Sequence, residues 1–111
     1  MSLTTAGKNL ALDALIITQV SLHDAPPGDD GAANELSGGG YARQAISFAL
    51  ATEGSRDSEN QPVFDVPGGN TVSHYAFWAG AICVDSGALF ATEVFTADGQ
   101  YTLIDADIRF I

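Results

Sequence analysis

The chain has 111 residues and a formal net charge of −10, from 14 acidic and four basic residues. Nucleic acids and anionic membranes are disfavoured as partners, because both attract clustered Lys and Arg and the four basic residues here are scattered. The 46% hydrophobic content can supply a core, so we expect one β-domain over residues 1–111. No apolar run approaches the roughly 20 residues of a membrane span, and residues 1–7 do not resemble a secretory signal.

The N-terminal part predicts a helix, a strand and then a long loop. Residues 1–15 favour a helical arm with Ser2 or Thr4 as its cap. The β-branched content of residues 15–23 favours a strand. Residues 24–40 contain five glycines and two prolines and therefore form a loop. Its length predicts an interface loop, because long structureless connections are uncommon in compact domains.

The rest of the chain alternates in the manner of β-strands. We expect strands over 42–50, 62–66, 72–79, 82–85 and 87–95, with a polar loop over 51–61. Asp98-Gly99 predicts a hairpin turn after the strand that ends at residue 95. A last strand should point Ile104, Ala106, Ile108 and Phe110 inward. The predicted fold is mainly β, an antiparallel sandwich or jelly-roll-like domain with one N-terminal helix.

Histidine and acidic residues offer weak metal-binding patterns. His23 and His74 lack zinc-ligand spacing, and there is no Cys pair. Asp24, Asp29 and Asp30 could offer oxygens to calcium, but their spacing does not fit an EF-hand loop. We therefore expect no metal and no cofactor, and a solvated acidic loop, with a weak site shared between subunits as the alternative.

No motif in the chain indicates catalysis. The run Gly38-Gly39-Gly40 leads into a strand instead of a helix, and Arg43 stands where a dinucleotide fingerprint needs glycine. There is no Gly-x-Ser-x-Gly elbow. The single Cys83 lies in an apolar run and is interpreted as a buried structural thiol. We expect no enzyme activity.

The same glycine run is the best candidate for contact with another chain. Gly38, Gly39 and Gly40 can adopt positive φ and let the backbone pass close to a neighbour. Tyr41 and Arg43 follow, and both residue types are enriched at interface hot spots. Arg43 can pair with a carboxylate of its own or of a neighbouring subunit. The alternative is that Tyr41 covers the sandwich edge and Arg43 is solvated; Trp78 we interpret as core.

One stretch resembles a known family. Residues 33–50 read ANELSGGGYARQAISFAL, and the order of Asn-Glu, Ser-Gly-Gly and Tyr-Ala-Arg-Gln is similar to small tailed-bacteriophage virion proteins labelled phage tail fibre protein. Weaker similarity extends over most of the chain. The Ala25-Pro26-Pro27-Gly28 loop and an acidic insert over residues 55–60 depart from the family pattern. The resemblance implies a non-enzymatic structural protein of the virion, assembled in the host cytoplasm.

The sequence leaves the attachment site open. The protein can be a tail- or fibre-associated subunit or a capsid-decorating subunit that binds a repeating particle surface through the tail or major capsid protein. We expect a homo-oligomer, with a trimer as one arrangement. The alternative function is a carbohydrate-binding module for host-surface recognition. Exposed Tyr41, Tyr75 or Trp78 in a shallow groove would favour sugar binding, whereas an apolar patch on one edge would favour assembly.

Overall fold

The computed structural model describes residues 2–109 of the chain. No helix in this range is long and apolar enough to span a bilayer. The elements within it are α1 (Thr5–Asp13), β1 (Gln19–His23), β2 (Gln44–Ala45), β3 (Ser55–Asp57), β4 (Val63–Val66), β5 (Asn70–Ala79), β6 (Ile82–Phe95), β7 (Gly99–Thr102) and β8 (Asp107–Arg109). All of their strand pairings are antiparallel. The prediction of a mainly β, antiparallel fold with one N-terminal helix is confirmed.

The strands form one main sheet and two short ribbons. The sheet has the order β2-β1-β5-β6, and the ribbons pair β3 with β8 and β4 with β7. One hydrophobic cluster joins the sheet to the ribbons, with Leu22, Val72 and Phe77 from the sheet and Phe64, Val66 and Ile108 from the ribbons. The core therefore lies between two β-layers, as in a sandwich.

Strand β5 is covered on both faces. Phe77 and Trp78 are neighbours in this strand, so their side chains point to opposite faces. Both are buried, at 2% and 5% exposure. Phe77 belongs to the sandwich core, whereas Trp78 faces the loop before β2. The prediction that Trp78 is a buried residue is confirmed.

The helix is short and held by few side chains. Thr4 is its N-cap, and the Thr4 Oγ1 accepts from the Gly7 N–H at 3.1 Å. The helix ends at Asp13, two residues before the predicted end. Leu12 is its one buried residue in the described range. Because nine residues make a marginal helix in isolation, its contacts with the sheet layers must stabilise it.

The strand predicted over residues 42–50 is wrong in length. Only Gln44–Ala45 pairs as a strand, although Ile46 and Phe48 are buried as the alternation indicated. Leu50 is 76% exposed. The predicted loop 51–61 contains β3. Asn60 explains the irregular backbone: its side chain accepts from the Ser47 N–H at 3.0 Å and so replaces a strand partner.

The Asp98-Gly99 turn does not close a hairpin between β6 and β7. Instead β7 pairs with β4, with Gly99 opposite Val66. The Asp98 carboxylate accepts from the Gly68 N–H at 2.8 Å, which ties the turn to the end of β4. The strands predicted over 82–85 and 87–95 are a single strand, β6.

The C-terminal alternation holds only in part. Ala106 and Ile108 are buried as predicted, but Ile104 is exposed. Asp105 has a positive φ of 57°, which interrupts the extended backbone before β8. Phe110, the last residue predicted to point inward, lies outside the described residues.

Candidate functional site

The three glycines of the predicted interface loop form a turn that reverses the chain. Gly38 and Gly39 have φ of 88° and 55°. The Tyr41 N–H donates to the Gly38 carbonyl at 3.1 Å. These φ values cost glycine little. Together with Gly40 they leave an exposed turn, and the reversal returns Tyr41 to the carboxylate of Glu35.

Tyr41 fills a gap along the edge of β1. Its hydroxyl accepts from the Leu22 N–H at 3.0 Å and donates to Glu35 Oε2 at 2.8 Å. Its ring stacks on Phe64 with centroids 6.3 Å apart. Burial and the neighbouring Glu35 raise the pKa of Tyr41 far above its ordinary value, so the phenol stays protonated. The side chain therefore acts as a strand partner for Leu22.

Arg43 completes a cluster that we call the Glu35 cluster, formed by Glu35, Tyr41 and Arg43. The Arg43 Nη2 and Nε donate to Glu35 at 2.8 and 3.0 Å. The guanidinium also lies 3.9 Å from the centre of the Trp78 ring, a cation–π distance. Burial opposes ionisation of Glu35, but hydrogen bonds from Arg43 and Tyr41 outweigh it and hold the pKa of Glu35 below its ordinary value.

Tyr41 and Arg43 are thus brought together by a carboxylate of their own chain. Arg43 keeps about a third of its side chain exposed, at 32%. Gly39 packs against its own chain as well, since a methyl group there would lie 2.8 Å from Pro67 Cγ. The role of residues 38–41 and Arg43 in contact with another chain stays a prediction.

The Tyr41→Phe substitution should lower the free energy of unfolding by about 1–3 kcal/mol. It removes the acceptor of a buried N–H on Leu22 and one of the donors to Glu35. Chemical denaturation of purified protein measures the loss. Tyr101→Phe, which removes the hydroxyl of a half-buried tyrosine on β7 outside the cluster, is the control. Equal losses for the two variants would contradict the role of the Tyr41 hydroxyl.

A second polar group links Ser21, His23 and Trp78 and is buried beneath the loop on the sheet face opposite the sandwich core. Ser21 and His23 are fully buried. The His23 Nδ1 lies 2.8 Å from the Ala33 carbonyl, which can only accept, so Nδ1 carries the proton. His23 Nε2 then accepts from the Ser21 hydroxyl at 2.7 Å, and Ser21 Oγ accepts from Trp78 Nε1 at 2.8 Å. This Ser–His pair fixes the fold and offers no surface to a substrate.

Stability should fall as the pH drops below about 6.5, the ordinary pKa of His. Burial lowers the pKa of His23 in the folded state, against smaller opposing effects of Ala33 and Glu35. The unfolded chain therefore takes up a proton that the folded chain resists, with a slope of at most about 1.4 kcal/mol per pH unit. Urea unfolding at pH 7.5 and 5.5 measures the change. His23→Asn should flatten it and His74→Asn should preserve it; the reverse pattern would refute the assignment.

The other candidate groups do not converge. His74 Nδ1 lies 2.8 Å from the Ser73 hydroxyl, and His23 is committed to Ser21 and Ala33. No group of three metal-ligating side chains occurs within residues 2–109. Cys83 is half-buried, less than predicted, and burial raises the pKa of its thiol.

Strand β6 presents an apolar edge. It is the last strand of the main sheet, and no other strand of residues 2–109 pairs with its outer side. Ile82, Phe90 and Val94 are exposed, with Phe90 fully so. Residues 89–92 stand opposite the single residue Ser73, so this part of β6 bulges away from β5. Exposed edges and apolar patches of this kind are typical of protein interfaces.

Comparison with known proteins identifies the family. A family model described as Podophage GP4 fiber I protein gp80 matches residues 6–105. The chain belongs to this family. This match confirms the predicted resemblance to phage tail fibre proteins, which was based on residues 33–50. Curated proteins and solved structures gave no match. The protein is therefore a phage fibre-type virion protein.

Within this gp80-family chain, sequence reasoning missed three features of the site. Glu35 precedes the glycine turn and Arg43 follows it, a spacing that indicates an ion pair once the turn is recognised. Ser21 and His23 alternate on β1, which places them on one face. The unpaired edge of β6 had no sequence signal, because strand order depends on long-range pairing.

Proposed function

We propose that this fibre protein is a non-enzymatic structural subunit that binds a repeating surface of the phage particle at the tail. The unpaired, apolar edge of β6 is the observation that supports this proposal most strongly. A long edge with exposed Ile82, Phe90 and Val94 invites association unless a partner covers it. Membership of a fibre family favours the tail over capsid decoration. Assembly in the host cytoplasm belongs to the same proposal.

The carbohydrate-binding alternative has less support. Trp78 is buried beneath Arg43, and Tyr41 is engaged with Leu22 and Glu35. The Tyr75 hydroxyl donates to Asp85 at 3.1 Å. The Trp78 and Tyr41 rings are therefore not free to stack on a sugar, and of the three only Tyr75 lines a groove, where Asp85 holds its hydroxyl.

Co-sedimentation tests the proposed attachment. Labelled protein is mixed separately with purified tails and with purified empty heads of the source phage. We expect saturable binding to tails and none to heads. Binding to heads alone would make the protein a decorating subunit, and binding to neither would reject the structural role at the particle surface.

We also propose that the protein is a homo-oligomer, with a trimer as one arrangement, and that the exposed turn of residues 38–40 meets another chain. A domain of this size buries only about two-thirds of its surface when it folds, so burial of further surface between subunits would add stability. Since each subunit carries a net charge of −10, salt should strengthen association by screening repulsion. Light scattering after gel filtration at low and high salt measures the mass.

The Gly38→Asn substitution should weaken this contact while leaving the fold nearly intact. A side chain at Gly38 meets no atom within 4 Å of its Cβ, and Asn tolerates positive φ better than most residues. Gly80→Asn is the control, because Gly80 also has positive φ and open space but lies at the β5–β6 turn. Gly39 is a poorer probe, because a side chain there would clash with Pro67 and disturb the fold itself. Equal oligomer mass and tail binding for both variants would argue against the loop contact.

A further inference from the structure

The sandwich is open where β6 meets the segment before β8. A groove of about 440 Å³ lies there between the core face of the sheet and residues 103–107. Tyr75 and Phe77 form its floor, and Leu89, Phe90 and Ile104 line its sides. Most of this lining is apolar, and the bulge of β6 places Phe90 at the rim. The groove is large enough to receive two or three side chains.

The rim of this groove is acidic. Asp105 and Asp107 line it and are exposed, and none of the lining residues is basic. Asp85 is half-buried beside it and accepts from the Tyr75 hydroxyl. Burial raises the pKa of Asp85, and Asp107 adds to the effect by repulsion. A cation brought to this rim would relieve repulsion among carboxylates that share a small volume.

We propose that the groove binds an extended segment of another virion protein in which apolar side chains are flanked by Lys or Arg. The apolar side chains would enter beside Phe77 and Leu89, and the cations would meet Asp105 and Asp107. The free outer edge of β6 runs alongside, so the segment can add a strand to the sheet. This inference rests on the proposed structural role and names the chemistry of the partner.

The acidic rim favours a basic partner over a second copy of this acidic chain. Each copy brings 14 acidic residues and only four basic ones. Arg43 is paired with Glu35, and Arg56 contacts Asp13 and backbone carbonyls. A second copy would therefore bring mainly like charge to the acidic rim, which is unfavourable.

Fluorescence polarisation with defined peptides tests the groove. The probes are three ten-residue peptides that alternate Val with Lys, Ser with Lys, and Val with Glu. We expect the Val/Lys peptide to bind at least about tenfold more tightly than the other two, because it alone satisfies both the apolar floor and the acidic rim. Equal affinity for Val/Lys and Ser/Lys would overturn the proposal, since charge alone would then explain binding.

Matched variants locate the binding. Asp105→Asn with Asp107→Asn, and separately Phe90→Ser, should each weaken Val/Lys binding at least about fivefold. The control for charge is Asp29→Asn with Asp30→Asn, which removes the same two charges from an exposed loop. The control for Phe90 is Val63→Ser, an exposed apolar residue on β4. Equal losses in the controls would overturn the assignment to this groove.

The same variants, used with purified tails, separate this inference from the proposed function. If wild-type protein binds tails and the groove variants bind equally well, the groove assignment fails and the structural role stands. If wild-type protein binds neither tails nor heads, the structural role fails whatever the peptides show. A groove variant that changes oligomer mass, or that abolishes binding to a glycan array, would place a second copy or a sugar in the groove and overturn the proposal.

Discussion

Replacing Gly31 with alanine should lower the free energy of unfolding by about 3 kcal/mol or more, from backbone strain and overpacking together. Gly31 is buried and has a φ of 72°. A methyl group there would lie 2.7 Å from both Cβ and Sγ of Cys83 and 3.0 Å from Trp78 Cζ2. Trp78 cannot move away easily, because Ser21 and Arg43 hold it. Through this contact the loop before β2 packs against the face of the main sheet that lies opposite the sandwich core.

Gly28→Ala is the matched control for this experiment. Gly28 lies in the same loop with a similar φ of 79°, but a methyl group there would meet nothing closer than 3.9 Å. Both variants carry backbone strain of about 1–2 kcal/mol, and only Gly31→Ala adds about 1–3 kcal/mol of overpacking. Urea denaturation of the two variants measures the difference directly. If they unfold at the same urea concentration, the loop does not pack tightly on Cys83 and Trp78.

The parts of the fold that local sequence determines were predictable. The β-branched content of residues 15–23 correctly indicated β1, the alternation of residues 62–66 and 72–79 correctly indicated β4 and β5, and Trp78 was correctly interpreted as a core residue. Thr4 was recognisable as a helix cap because capping depends on the next three residues. These features need no knowledge of distant parts of the chain.

The features that depend on distant partners were not predictable. The alternation of residues 42–50 indicated a full strand, but Asn60 supplies the hydrogen bonds that a neighbouring strand would have made. The Asp98-Gly99 turn looked like a hairpin, yet β7 finds its partner in β4. Turn chemistry specifies that the chain reverses and leaves open which strand it then joins.

In the candidate site, too, some features follow from local sequence and others depend on distant residues. The glycine turn, Tyr41 and Arg43 were selected because residue type and spacing were sufficient. The choice of Glu35 as their partner requires the turn geometry, since six and eight residues separate the groups in sequence. The groove beside β6 requires the strand order as well, because its lining comes from β5, β6 and the segment before β8, which are distant in sequence.

Arg56 should prove the most sensitive of the four basic residues. Its Nη1 donates to the carbonyls of Leu12 and Leu15, each at 3.0 Å, and its Nε donates to the Ala49 carbonyl at 2.8 Å. The side chain is 11% exposed. It supplies the positive charge that the last turn of α1 lacks, and it joins the helix to the chain before β3. Sequence alone marked it only as one scattered cation.

Arg56→Met should therefore lower the free energy of unfolding by about 3 kcal/mol, because it removes the donor from three part-buried carbonyls at once, those of Leu12, Leu15 and Phe48. Hydrogen exchange should show α1 losing protection before β5, since a nine-residue helix is marginal without its contacts. Arg56→Lys should recover only part of the loss, because an ammonium cannot reproduce the planar fork of the guanidinium. Arg109→Met removes the same charge from an exposed position on β8 and should change stability by less than about 0.5 kcal/mol. Were the two methionine variants equally stable, the helix would have to be held by Leu12 and the side chains of Asn9 and Asp13 alone.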